Sequence, residues 1–96
     1  MILIALALAA AASTPATDNF GTPFQPWVPT DVRNFIIDAQ ACSHFSGEFG
    51  YDAERKAFLD RMIAETCTGL DKRKAALSRR YSRSARTKQL LSDVGD

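Results

Sequence analysis

Apolar residues recur every three or four positions along the middle of the chain, a spacing that predicts two amphipathic helices. The first is predicted over about residues 30–45, and its apolar positions are Val32, Phe35, Ile36, Ala39 and Cys42. The second is predicted to follow Asp52 as N-cap and to end near residue 68. Its apolar positions are Phe58, Leu59, Met62, Ile63 and Cys67. Each helix therefore carries one cysteine on the face that should turn toward the core.

A third helix is predicted over about residues 72–91, but its apolar face is narrow. The positions that form it are Leu77, Tyr81, Ser84 or Ala85, and Leu91, with Leu70 just before the helix. Gly69 stands where a left-handed residue commonly ends a helix, and Asp71 is expected to cap the next one. Because residues 82–89 contain no large apolar side chain, we expect the second half of this helix to fray. The pattern predicts an all-α domain of three helices over residues 30–92.

Residues 2–12 are uncharged and apolar throughout. Their number suits the hydrophobic region of a signal peptide and falls short of the roughly 18 to 20 residues that a membrane span needs. Small residues follow, so cleavage after Ala12 or after Ala16 fits the small-x-small rule. We therefore expect residues 1–16 to be a signal peptide and the protein to be periplasmic or secreted. The alternatives are an uncleaved anchor and an ordinary buried helix.

All four prolines lie within residues 15–29, together with three large aromatic residues, Phe20, Phe24 and Trp27. Proline lacks a backbone donor and favours extended geometry in the residue before it, so an extended arm is predicted over residues 17–29. Large aromatic side chains are unfavourable in water, and the arm is therefore expected to fold over the helices. The alternatives are disorder and a polyproline ligand for a partner, since Pro-x-x-Pro spacings occur here.

The chain contains two cysteines, Cys42 and Cys67. In an oxidising compartment they allow one internal pairing, so a disulfide between them is predicted. Closing the loop between residues 42 and 67 stabilises a small domain by about 3 to 4 kcal/mol on the chain-entropy estimate. The second helix is about 22 Å long, so the bond requires residues 43–51 to run back along it in nearly extended form. The alternative is a pair of free thiols or zinc ligands.

A set of residues around the first cysteine forms the pattern Cys42-x-His44-Phe45-x-Gly47-Glu48-x-x-Tyr51-Asp52-x-x-Arg55, followed by Cys67 and by Leu77-x-x-x-Tyr81. This pattern resembles a group of small exported bacterial proteins with a single disulfide. The likeness covers less than half of the chain. Phe45 stands where that group has Trp, and Phe49-Gly50 stands where it has Glu-Pro. The resemblance implies a helical, disulfide-linked domain, and it transfers no functional residue.

His44 is the single histidine of the chain. With Cys42, Cys67 and a carboxylate it would form a zinc site, and with Glu48 or Asp52 it would begin a hydrolytic set that still needs a nucleophile. Export favours oxidation of both cysteines, which removes two of the zinc ligands. We therefore expect His44 and Glu48 to hydrogen-bond the loop and a helix end. We predict no catalytic site, no metal and no cofactor.

The net charge of +1 conceals two oppositely charged parts. Residues 17–71 contain nine acidic and four basic residues, whereas residues 72–92 contain eight basic residues and no acidic one. Since a cationic element attracts anions, we predict anion binding by the C-terminal helix. The candidate residues are Arg73, Arg79, Arg80, Arg83, Arg86 and Lys88.

The predicted function is binding rather than catalysis, and the candidate partners are an anionic lipid surface, an acidic glycan or an acidic protein. A simpler interpretation is that the basic helix pairs with the acidic half of its own chain. If the protein were not exported, the second and third helices, joined by residues 68–71, would resemble a helix-turn-helix suited to DNA phosphates. No nucleic acid is expected as partner of an exported protein.

Overall fold

The structure is a computed structural model that describes residues 14–94, and these residues form four α-helices. The helices are α1 (Thr30–Ser46), α2 (Ala53–Cys67), α3 (Leu70–Arg80) and α4 (Ala85–Asp93). The prediction of an all-α domain with one disulfide is confirmed. Most of the predicted signal peptide lies outside the described residues.

The core of the domain is built on α1. Its buried members are Val28, Val32, Phe35, Ile36, Ala39, Leu77 and Leu91. Four of them come from α1 and are the positions that its apolar spacing predicts. Pro29 precedes the helix, and at the other end the amide of Gly47 donates to carbonyls of the last turn. Both ends therefore agree closely with the sequence prediction.

Residues 14–29 pack along α1, and the end of this arm next to the helix is held by a buried side chain, Arg33, which is 8% exposed. Its guanidinium donates hydrogen bonds of 2.7 to 3.4 Å to four backbone carbonyls, those of Pro15, Gln25, Pro26 and Val28. The extended arm leaves these carbonyls without helical partners, and Arg33 supplies the donors. The backbone of the arm is thus fixed to the first turn of α1.

A tight turn at the tip of the arm is organised by Asp18. Its carboxylate accepts hydrogen bonds from the amides of Phe20 and Thr22 and from the side chain of Gln40 on α1. The hydrogen bond from Gln40 lowers the pKa of Asp18 most, and the bonds from the two amides lower it further. Gly21 completes the turn with φ of +80°, a conformation that residues with a Cβ rarely adopt.

The three aromatic residues of the arm differ in their exposure to solvent. Phe24 and Trp27 are half-buried and pack against the core, as expected for an arm that folds over the helices. Phe20 lies at the tip of the turn and is 73% exposed, so the expectation is wrong for this residue. The neighbouring residue Asn19 bonds α1 through the carbonyl of Ile37 and the side chain of Gln40, so the turn stays on α1 while the ring of Phe20 remains in solvent.

Helix α2 is joined to α1 by the disulfide between Cys42 and Cys67, whose Cα atoms are 4.9 Å apart. The side chain of Asp52 caps α2 by accepting from the amide of Arg55, as predicted. Residues 43–46 continue α1, so the expected extended return over residues 43–51 is wrong. Only residues 47–52 leave the helix. Ser46 lies beside the end of α2, with its Oγ 3.7 Å from Sγ of Cys67, and six nearly extended residues reach about 20 to 22 Å, which is about the length of α2.

The predicted third helix is divided into α3 and α4 by a turn at residues 81–84. Gly69 is left-handed as expected (φ +75°), but it is itself the N-cap, and Asp71 lies in the first turn of α3. Ser84 starts α4 by accepting from the amide of Thr87, so this segment is a capped helix where fraying was predicted. A straight helix would separate Leu77 from Leu91 by about 21 Å. The turn instead brings both into one core.

Candidate anion-binding surface

The basic residues of positions 72–92 lie on α3, on α4 and on the turn between them. Six of the eight are exposed: Lys72, Arg79, Arg80, Arg83, Arg86 and Lys88. Arg73 and Lys74 are half-buried. The two short helices therefore present a cationic surface, which we call the basic surface and define by the six exposed residues.

Arg73 is bound to α1. Its Nη1 lies 2.7 Å from Oδ2 of Asp38, and its guanidinium stacks over the ring of Phe35 at 5.6 Å from the centroid. Both contacts join α3 to the core helix. Arg73 was a candidate for anion binding, and this geometry assigns it to the packing of the domain.

Arg80 and Tyr81 meet the same carboxylate at the start of α1. The hydroxyl of Tyr81 donates to Oδ1 of Asp31 at 2.7 Å, and Nη1 of Arg80 lies 3.4 Å from Oδ2. The pKa of Tyr81 is raised, mainly because the hydroxyl is partly buried and secondly because it donates to the Asp31 carboxylate. The side chain of Arg80 is 71% exposed despite this ion pair, so most of its surface faces solvent.

The other arginines surround the turn between α3 and α4. Arg86 stacks over the indole of Trp27, with its guanidinium carbon 4.3 Å from the ring centroid, and this contact leaves its charge in place. Arg79 and Arg83 make no ion pair within residues 14–94. Residues 79–86 thus place four arginines on and beside the turn that joins α3 to α4.

A groove of about 560 Å³ separates α3 from α4. The residues that line it are Lys74, Ser78, Ala85, Lys88, Gln89 and Ser92. Lys74 also donates from Nζ to the carbonyl of Val94 at 3.0 Å. Of these residues the sequence prediction included Lys88 and left out Lys74. The sequence signal for these positions is a repeated spacing, Lys-x-x-x-Ser, which occurs at residues 74–78 and again at residues 88–92.

The residues around His44 form a structural cluster. Nε2 of His44 lies 3.3 Å from Glu48, whose other oxygen lies 3.6 Å from Arg55. Within residues 14–94 no hydroxyl is hydrogen-bonded to His44, and no group of three possible metal ligands occurs. The sulfurs of Cys42 and Cys67 are bonded to each other, so neither is a thiolate for zinc. His44 and Glu48 therefore link the end of α1 to the start of α2 through Arg55. Their hydrogen bonding to the loop and to a helix end stays a prediction.

Comparison of the chain with protein-family models, with curated proteins and with solved structures found no match. No helix in the part of the chain that the structure describes has the length and hydropathy needed to cross a membrane.

Proposed function

We propose that this protein is an exported, disulfide-linked helical domain that binds anionic surfaces, such as lipid headgroups or acidic glycans, through its basic surface. One observation carries the proposal: among the eight basic residues of positions 72–92, the ion pairs within residues 14–94 engage only Arg73 and Arg80. If the basic helices served to neutralise the acidic half of the chain, most of these cations would meet its carboxylates. The surface is available to an external anion instead.

The number of exposed cations suits a surface that carries many charges. Each lysine or arginine that approaches an anionic membrane contributes about 1 kcal/mol, and the attraction falls off within a Debye length of about 8 Å at physiological salt. Arg79 in the last turn of α3, Arg83 in the following turn and Lys88 on α4 are all exposed, so each is accessible to an anionic surface. Such binding should weaken steeply as salt is added.

Export is supported by the signal-peptide pattern of residues 1–16 and by the disulfide, since disulfides persist in oxidising compartments. The alternative of a helix-turn-helix receives less support. That motif needs its two helices packed against each other, whereas α2 and α3 each pack mainly on α1. The experiment below therefore includes duplex DNA as a probe for this alternative.

The test is binding of the purified, oxidised protein to phosphatidylglycerol vesicles and to a sulfated glycan, with phosphatidylcholine vesicles as the neutral surface. We expect binding to both anionic probes and loss of binding as salt rises. The double variant Arg79→Gln/Arg83→Gln should bind phosphatidylglycerol at least tenfold more weakly, since two surface charges are removed.

The matched control is Lys56→Gln/Arg61→Gln, which removes the same charge from exposed positions of α2. It should retain most of the affinity. Equal losses in the two variants, or no binding to either anionic probe at about 0.15 M salt, would contradict the proposal. Saturable binding to duplex DNA with no binding to vesicles would support the alternative.

A further inference from the structure

We infer that the groove between α3 and α4 is a discrete site for one phosphate monoester, with Lys74 and Lys88 as its cations. The inference rests on the proposed function, because it names the headgroup chemistry that the basic surface would select. A diffuse cationic surface attracts any anion, whereas a groove with directed donors distinguishes among anions.

The geometry of the two helices brings donors to both walls of this groove. The hydrogen bond from Lys74 to the carbonyl of Val94 places the start of α3 beside the end of α4. Lys74 and Ser78 are four residues apart on α3, and Lys88 and Ser92 are four residues apart on α4, so each pair occupies one helix face. Each wall therefore contributes one ammonium group and one hydroxyl.

The chemistry of the lining fits a tetrahedral oxyanion. It offers two ammonium groups and two hydroxyls, and none of its side chains is a carboxylate. The amide of Gln89 donates to the carboxylate of Asp93, which lies outside the lining, at 2.9 Å. A phosphate monoester carries about 1.5 to 2 negative charges and three terminal acceptor oxygens. Two lysines match that charge, whereas a phosphate diester or a carboxylate carries about one negative charge and would leave one ammonium group without a counterion.

The groove is open on one side, so the group esterified to the phosphate can remain in solvent or in a membrane. The arginines at the turn lie outside the groove lining and would add attraction to the surrounding surface. This arrangement separates recognition of one headgroup from general attraction to the membrane. The two contributions are therefore separable by mutation.

The first measurement is a titration of the oxidised full chain with inorganic phosphate, followed by the amide resonances of residues 74–92. We expect saturable shifts centred on the groove. Lys74→Gln/Lys88→Gln should weaken phosphate binding at least tenfold. Ser78→Ala/Ser92→Ala, which keeps the charge, should also weaken it at least tenfold, as expected for loss of two hydrogen bonds to a charged group.

Three further variants separate the site from general electrostatics. Lys56→Gln/Arg61→Gln on α2 should leave phosphate binding unchanged. Arg79→Gln/Arg83→Gln should weaken binding to phosphatidylglycerol vesicles more than binding to phosphate. Lys88→Gln alone removes one cation of the groove without disturbing the fold. Lys88 is exposed, and its side chain makes no hydrogen bond or ion pair within residues 14–94. Lys74, by contrast, donates a hydrogen bond to the carbonyl of Val94.

Vesicles identify the source of the phosphate. Stronger binding to phosphatidic acid than to phosphatidylglycerol at equal surface charge supports a lipid headgroup, and equal affinity for free phosphate and phosphatidic acid supports a soluble ligand. The site is disproved if phosphate gives no saturable shift or if the α2 control loses as much affinity as the lysine variants. Binding of phosphatidylglycerol in that case would leave the proposed function standing without a specific groove.

Discussion

Arg33 is the charged residue on which the packing of the described chain depends most. It is the buried charged side chain of residues 14–94, and its counterparts are carbonyl dipoles rather than a carboxylate. The planar guanidinium spreads its donors in a fixed fork, which lets one side chain reach carbonyls from both ends of the arm. Its position over the ring of Phe24, at 5.3 Å, adds a cation–π contact.

The variant Arg33→Lys should therefore destabilise the domain although the charge is kept. An ammonium group cannot reach the carbonyls of Pro15 and Val28 together, and a carbonyl that loses its partner in a buried or partly buried position is costly. We expect the free energy of unfolding to fall by about 2 to 4 kcal/mol, as measured by urea denaturation. Arg61→Lys, at an exposed position of α2, is the control and should change it by less than about 0.5 kcal/mol. Similar values for the two variants would contradict this role of Arg33.

At the scale of the elements, α2 contributes no residue to the core cluster built on α1. Leu59 is its single buried residue, and it lies outside the core cluster built on α1. Phe58 is flanked by Phe45, Arg55 and Arg61 at the loop end of the helix. The disulfide holds the opposite end. Helix α2 is therefore attached to α1 by contacts outside the core cluster and by the disulfide, whereas α3 and α4 each place a leucine in that cluster.

Removal of the disulfide in Cys42→Ala/Cys67→Ala should affect α2 before the rest of the domain. We expect a loss of about 3 kcal/mol in the free energy of unfolding, from the added freedom of the unfolded chain. Amide hydrogen exchange should show that α2 loses protection while the core positions of α1 keep theirs. Wild-type protein under reducing conditions should behave in the same way. Uniform loss of protection across all four helices would show that α2 is integral to the core.

At the scale of the whole molecule, residues 14–16 take part in the fold, so the position of the proposed signal-peptide cleavage would affect stability. Arg33 donates to the carbonyl of Pro15 at 2.7 Å, and the amide of Phe24 donates to the carbonyl of Ala16 at 2.9 Å. The hydroxyls of Thr14 and Thr30 are 3.1 Å apart. Of the two cleavage positions that the sequence allows, cleavage after Ala12 keeps these contacts, and cleavage after Ala16 removes them.

We therefore predict that the exported protein begins at Ser13. A chain that starts at Ser13 should be more stable than one that starts at Thr17 by about 1 to 3 kcal/mol, because the shorter chain lacks two carbonyl acceptors of the arm. Thermal unfolding of the two chains measures the difference, and N-terminal sequencing of secreted protein identifies the natural start. Equal stability of the two chains, or a natural start at Thr17, would refute the prediction.

Local patterns were sufficient for much of this fold. The apolar spacing of α1, the cap at Asp52 and the left-handed Gly69 each depend on residues within one or two helical turns. The division of α3 from α4 was not predicted, because the seam that includes Leu77 and Leu91 also fits one continuous helix. A continuous helix is excluded because Leu77 and Leu91 both pack into the core built on α1.

By itself, the sequence determined the helical class, the single possible pairing of Cys42 with Cys67 and the concentration of positive charge in residues 72–92. These are properties of composition and short-range periodicity. The tertiary structure decided which carbonyls Arg33 satisfies, which cations are neutralised and which line a groove. Asp38 and Arg73 are 35 residues apart in the chain, and Asp31 and Tyr81 are 50 apart. Hydrogen bonds and ion pairs act over a few ångströms, so only the folded chain determines which distant residues form them.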